Sequence, residues 1–115
     1  MLQAAIMFFI FGASIGAVIL MAVLKDKPTP KPAVVAHGIL GGFAILMCIT
    51  YIAMGHTDTM LLTGVGLLLL AAIGGFYMFG KDVYKLPIPK VVAVIHPMIA
   101  LSGVILLIVY VVQMS

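Results

Sequence analysis

The sequence predicts an all-α integral membrane protein: an up-down-up-down four-helix bundle built from two repeated helical hairpins. Three observations lead there. The chain has 115 residues, 65% of them hydrophobic and 8% charged, and its mean hydropathy of +1.38 is far above that of soluble domains. Its apolar residues form four runs, each close to the about 20 residues a helix needs to cross the hydrocarbon layer. The second half also echoes the first. Pro28-Thr29-Pro30-Lys31 leads to His37 as Pro87-Ile88-Pro89-Lys90 leads to His96, and Tyr51 and Tyr110 follow their histidines by fourteen residues.

The first run, about residues 3–24, has no Lys or Arg ahead of it and is longer than the apolar core of a signal peptide. It is expected to remain as helix one. The second, about 33–54, follows a Pro-rich turn. Proline lacks an amide hydrogen and is tolerated in a first helical turn, which makes Pro32 a helix start. The third, about 60–79, follows His56-Thr57-Asp58-Thr59, whose side-chain oxygens can cap it; His56 is then an interfacial loop residue. The fourth, about 91–112, starts after Pro89 and contains Pro97, which frees the Ala93 carbonyl and is expected to bend the helix beside His96. Backbone groups in lipid must be bonded internally, so these runs are helices rather than open strands. Residues 1–115 thus form a single transmembrane domain of two hairpins, 1–56 and 57–115. Each hairpin has a Lys-Asp pair near the end of its first helix, Lys25-Asp26 and Lys81-Asp82. On that alignment the second hairpin carries three extra loop residues.

The net charge of +3 does not point to nucleic acid, because all six lysines border the membrane on one side. Lys25, Lys27 and Lys31 surround the first loop and Lys81, Lys85 and Lys90 the third. The positive-inside rule places those loops in the cytoplasm and both termini outside, in what is expected to be a bacterial inner membrane. Cys48, the single cysteine, lies deep in helix two, is assigned to packing and gives no redox compartment.

Helices two and four rise from the same face, so His37 and His96 both lie about 10 Å above their Pro-x-Pro turns at 1.5 Å per residue. In an antiparallel ring these two helices are diagonal, about 11 to 14 Å apart if neighbours pack at 8 to 10 Å. That gap suits imidazole, metal and imidazole in line, with metal–nitrogen bonds of about 2 Å. A flat macrocycle also needs small neighbours. Gly41 and Ala100 follow the histidines by four residues, Ala44 and Gly103 by seven, and Gly16, Gly74 and Gly75 fall at the same depth on helices one and three. Lys31 and Lys90 lie where the propionates of a haem b would emerge. The expected site is therefore a bis-histidine haem with His37 and His96 as axial ligands, and no catalytic residue is assigned. A lone membrane histidine more often makes a helix–helix hydrogen bond, worth about 0.6 kcal/mol; the repetition argues for more.

Other signals are weaker. Gly12 to Gly16 and Gly38 to Gly42 both read GxxxG, a close-packing motif assigned to packing within the bundle or around haem. Tyr51 and Tyr110 fall about 21 Å beyond their histidines, where tyrosines commonly anchor helices at the interface. The nine methionines recur at no shared position and serve as filler.

With histidines on the second and fourth helices, glycines at their depth and Pro-x-Pro-Lys before each, the chain resembles a small membrane-embedded cytochrome b. It is similar to a minimal relative of the cytochrome b-561 type and of the di-haem bundle of respiratory cytochrome b. Those families often hold two haems on four histidines. Two membrane histidines imply one haem per chain, and two per homodimer. The resemblance implies electron transfer between a quinone pool and a small acceptor or donor, such as superoxide, ascorbate or another redox protein. Two other classes compete: a small four-helix transporter resembling the small multidrug resistance proteins, and a non-catalytic membrane subunit. The transporter wants a carboxylate inside the membrane, whereas Asp26, Asp58 and Asp82 all fall in loops or at helix ends.

Overall fold

The structure, a computed structural model, describes residues Met1 to Met114. They form four helices: α1 (Leu2–Leu24), α2 (Lys31–Ala53), α3 (Thr59–Val83) and α4 (Lys90–Met114). α1 packs along α2 and α3 along α4. The two hairpins then meet at an α1/α4 seam and a looser α2/α3 seam, with α2 and α4 on a diagonal. All four helices are long and apolar enough to cross a membrane. The bundle's length of 43 Å matches a bilayer of about 40 Å with its headgroup regions. Phe11, Ile39, Phe76 and Ile105 stand exposed on its outside, as side chains that face lipid do.

The predicted elements are all present, but three boundaries shift by two residues or more, the end of α4 at Met114 among them, and one loop differs. α3 runs four residues past its expected end, through Gly80 to Val83, because charged residues at a membrane edge need not stop a helix when their heads reach water. α1 and α3 then close identically. The Lys27 amide donates to the Ala22 carbonyl at 2.9 Å and the Leu86 amide to the Lys81 carbonyl at 2.8 Å, each around a left-handed residue, Asp26 at φ 54° and Lys85 at φ 55°. This is a Schellman closure without its usual glycine. Asp26 is therefore the counterpart of Lys85, and the connecting loops, 25–30 and 84–89, are equal. The three extra loop residues do not exist, since the Lys-Asp pairs that suggested them are not structurally equivalent.

α2 begins two residues earlier than expected, at Lys31, with Pro30 at the N-cap and Pro32 in its first turn. Asp58 holds the N-cap of α3, yet its side chain makes no capping bond. It accepts instead from the Tyr110 hydroxyl at 3.4 Å. His56 folds back, its Nδ1 3.0 Å from the Tyr51 carbonyl oxygen and its ring stacked on Tyr51 at 3.8 Å. Helix α4 continues on both sides of Pro97.

The repeat extends into the core. Buried residues recur at a separation of 59 positions: Leu2 with Leu61, Ile6 with Val65, Phe9 with Leu68, Cys48 with Leu107 and Tyr51 with Tyr110. Lipid offers no hydrophobic force between helices, so cohesion rests on close contact. At the α3/α4 interface Gly64 and Gly103 supply it. A Cβ on Gly103 would lie 2.8 Å from the Gly64 carbonyl oxygen, and the matching positions of the first hairpin hold Ala5 and Ala44, both fully buried. Tyr51 and Tyr110 belong to this core; they turn inward rather than anchoring the outer interface. Cys48 packs among them, as expected.

Candidate functional site

Each histidine is fixed by the first helix of its own hairpin. His37 Nδ1 lies 2.8 Å from the Gly12 carbonyl oxygen of α1, and His96 Nδ1 lies 2.7 Å from the Ala71 carbonyl oxygen of α3. The sequence separation is 25 in both cases. A helical carbonyl has a second lone pair beyond its intrahelical bond and can only accept, so Nδ1 must carry the hydrogen in both rings. Nε2 is then the basic nitrogen of each. Among the described residues neither Nε2 has a hydrogen-bond partner, and neither is a fully buried unsatisfied atom. Both stay accessible.

The glycines at this depth receive the imidazoles themselves. A Cβ on Gly16 would lie 2.9 Å from His37 Cε1, and one on Gly75 would lie 3.2 Å from His96 Cε1, with Gly74 also in reach of His96. Glycine is needed at the first because any side chain would push the ring off its carbonyl. The two rings meet edge to face across the diagonal, centroids 6.1 Å apart and planes at 76°. Two metal–nitrogen bonds of about 2 Å plus about 1 Å from each nitrogen to its ring centre sum to about 6 Å. The separation therefore fits one metal between them. The Nδ1–H bond to a backbone carbonyl is also the usual outer support of a metal-bound imidazole. Among the described residues no three His, Cys, Asp or Glu side chains converge. A site of two nitrogens suits a metal whose remaining positions are filled by a chelate of its own, which is what a haem brings.

The other residues assigned from sequence divide. Gly41 lies between His37 and Ala44, and a Cβ there would meet nothing within 4 Å, so open space adjoins the histidine on that side. Ala100 packs on the edge of the core cluster. Ala44 and Gly103 lie within that core, where their small size lets helices approach rather than making room for a macrocycle. Lys31 and Lys90 are engaged with carboxylates of the opposite hairpin. Lys31 Nζ is 2.8 Å from Asp82 Oδ2 and 2.9 Å from Thr29 Oγ1, Thr29 itself donates to Asp82 at 2.7 Å, and Lys90 Nζ is 3.1 Å from Asp26 Oδ2. These cross-links tie the hairpins at the lysine-rich end. Sequence reasoning missed Gly12 and Ala71, whose contribution is a backbone oxygen; the shared spacing of 25 back from each histidine was the available signal.

Comparison with family models, curated proteins and solved structures finds no match to this chain. What it does is therefore argued from the site.

Proposed function

We propose that this protein is a membrane cytochrome of b type, carrying electrons through one haem b held between His37 and His96, between a quinone pool and a small acceptor or donor such as superoxide or another redox protein. One observation carries the reading: two equivalent imidazoles, each oriented by a backbone carbonyl through Nδ1, stand 6.1 Å apart, with no partner for Nε2 among the described residues. A haem held by His37 and His96 would supply one-electron iron chemistry suited to outer-sphere transfer.

The chain's own groups have separable tasks. The Gly12 and Ala71 carbonyls hold the rings in one tautomer, leaving Nε2 as the nitrogen that can bind a metal. Gly16 and Gly75 let the rings lie against helix backbones, and Gly41 leaves the space beside His37 open. Lys31 and Lys90, near the same end, can receive anionic propionates with the donors left over from Asp82 and Asp26, since an ammonium has three. The lysine distribution supports a bacterial inner membrane with those loops cytoplasmic and the termini outside. A homodimer would carry two haems, and the exposed Gly38 and Gly42, with nothing within 4 Å, suit its contact.

A second reading has one observation in its favour: 6.1 Å and 76° also describe an edge-to-face ring pair. The protein would then be a non-catalytic membrane subunit whose histidines join its hairpins. Visible spectroscopy separates the two. The purified cytochrome shows a sharp Soret band and, after dithionite, split alpha and beta bands, both abolished in His37→Ala and in His96→Ala. Colourless protein after haem-replete expression, or an intact bis-histidine spectrum in both variants, rejects the cytochrome.

A further inference from the structure

A perfect repeat would make the two seams between hairpins alike, and they differ. At the α1/α4 seam Ala93 is 4% exposed and Lys90 meets Asp26, the left-handed residue that ends α1. At the α2/α3 seam the counterpart of Ala93 is Val34, which remains partly exposed, and the counterpart of Asp26 is Lys85. A groove opens there, walled by Val34, Val35 and Phe79 with Lys31, Asp82 and Lys85 at its mouth. Asp82 answers Lys31. Lys85 forms no ion pair among the described residues, so the groove's mouth carries two lysines, Lys31 and Lys85, for one carboxylate, Asp82.

We propose that the α2/α3 groove is a binding site for an anionic phospholipid, its phosphate at Lys85 and one acyl chain along Val34, Val35 and Phe79. Three features select that occupant. The walls are apolar and lie in a helix span, where the surrounding solvent is itself acyl chain. The mouth is at the lysine-rich end, at headgroup level. The residual charge is positive, which favours a phosphate-bearing anion over a zwitterionic headgroup or an uncharged quinone. The phosphate contact is made by Lys85, which has no role toward a cofactor at the histidines.

Native mass spectrometry of the full-length detergent-solubilised protein, titrated with dioleoylphosphatidylglycerol or dioleoylphosphatidylcholine, tests it. Phosphatidylglycerol is expected to stay bound in preference, and Lys85→Ala to weaken it about fivefold, the worth of one lysine at an anionic surface. Lys25→Ala, which removes an exposed lysine outside the groove, leaves binding unchanged, and Val34→Phe, which fills the groove and spares the charge, weakens it. Equal losses in Lys85→Ala and Lys25→Ala, equal binding of the two lipids, or displacement by a short-chain quinone regardless of Lys85 would each overturn the site.

Discussion

The two halves of this bundle are built to different rules. At the ends away from the lysines, the start of α1 and α3 and the close of α2 and α4, side chains pack around Leu2, Leu61, Cys48 and Leu107, all buried to within 2%. Toward the lysine-rich ends the interior holds glycines, two partly exposed histidines and a seam that has not closed. In lipid, contact density is the main source of cohesion, so the half away from the lysines carries the stability and the other half is free to be something else. The repeat makes this plain. Identical spacing yields tight small-residue contacts at Ala5, Ala44, Gly64 and Gly103 in one half, and glycine-backed imidazoles in the other.

Substitutions that act on one half alone probe this contrast. The largest effect is expected from Gly41→Phe, which enters open space beside His37. The apoprotein should fold, but haem uptake should be almost wholly lost; an unchanged Soret absorbance per protein would mean that no macrocycle uses that space. Next, Gly103→Ala sets a Cβ 2.8 Å from the Gly64 carbonyl oxygen, and since backbone cannot move aside, it should destabilise by about 2 kcal/mol. Gly41→Ala meets nothing and should stabilise the apoprotein by up to about 1 kcal/mol through helix propensity. Unfolding titrations in mixed micelles read both, and changes of the same sign would erase the proposed difference between halves.

Smaller effects sharpen it. Gly16→Ala, with a Cβ 2.9 Å from His37 Cε1, should disturb its imidazole more than Gly75→Ala, at 3.2 Å from His96 Cε1. Nitrogen-15 shifts of the two rings report the Nδ1–H bonds, and an equal response would contradict the ranking. Smallest are the cross-links. Asp82 accepts from both Lys31 and Thr29, so Asp82→Asn should cost about 1 kcal/mol. The exposed Asp26–Lys90 pair should cost about 0.3 kcal/mol or less on Asp26→Asn, measured in the same titrations.

Most of the fold was legible because a membrane imposes it: length and hydropathy mark helices, and short loops force neighbours to be antiparallel. The shared depth of His37 and His96, and glycines at that depth, were readable from spacing. Other features were not. The Lys-Asp dipeptides looked like equivalent landmarks, while the true equivalence of Asp26 and Lys85 lies in a left-handed backbone that no residue type announces when glycine is absent. Gly103 and Gly16 are the same letter, yet one faces a carbonyl and the other an imidazole, because partner identity depends on helix rotation. Asp58 looked like a cap and became a partner of Tyr110, a residue 52 positions away.

The two Nδ1 contacts close within a hairpin, His37 with α1 and His96 with α3. Each half of the chain therefore carries a finished unit: one imidazole, the backbone oxygen that aims it and the glycine beneath it. Joining the halves is a matter of bringing two such units face to face about the approximate dyad of the repeat. Residues 1–56, expressed alone, contain all the local instructions needed to attempt that symmetric assembly.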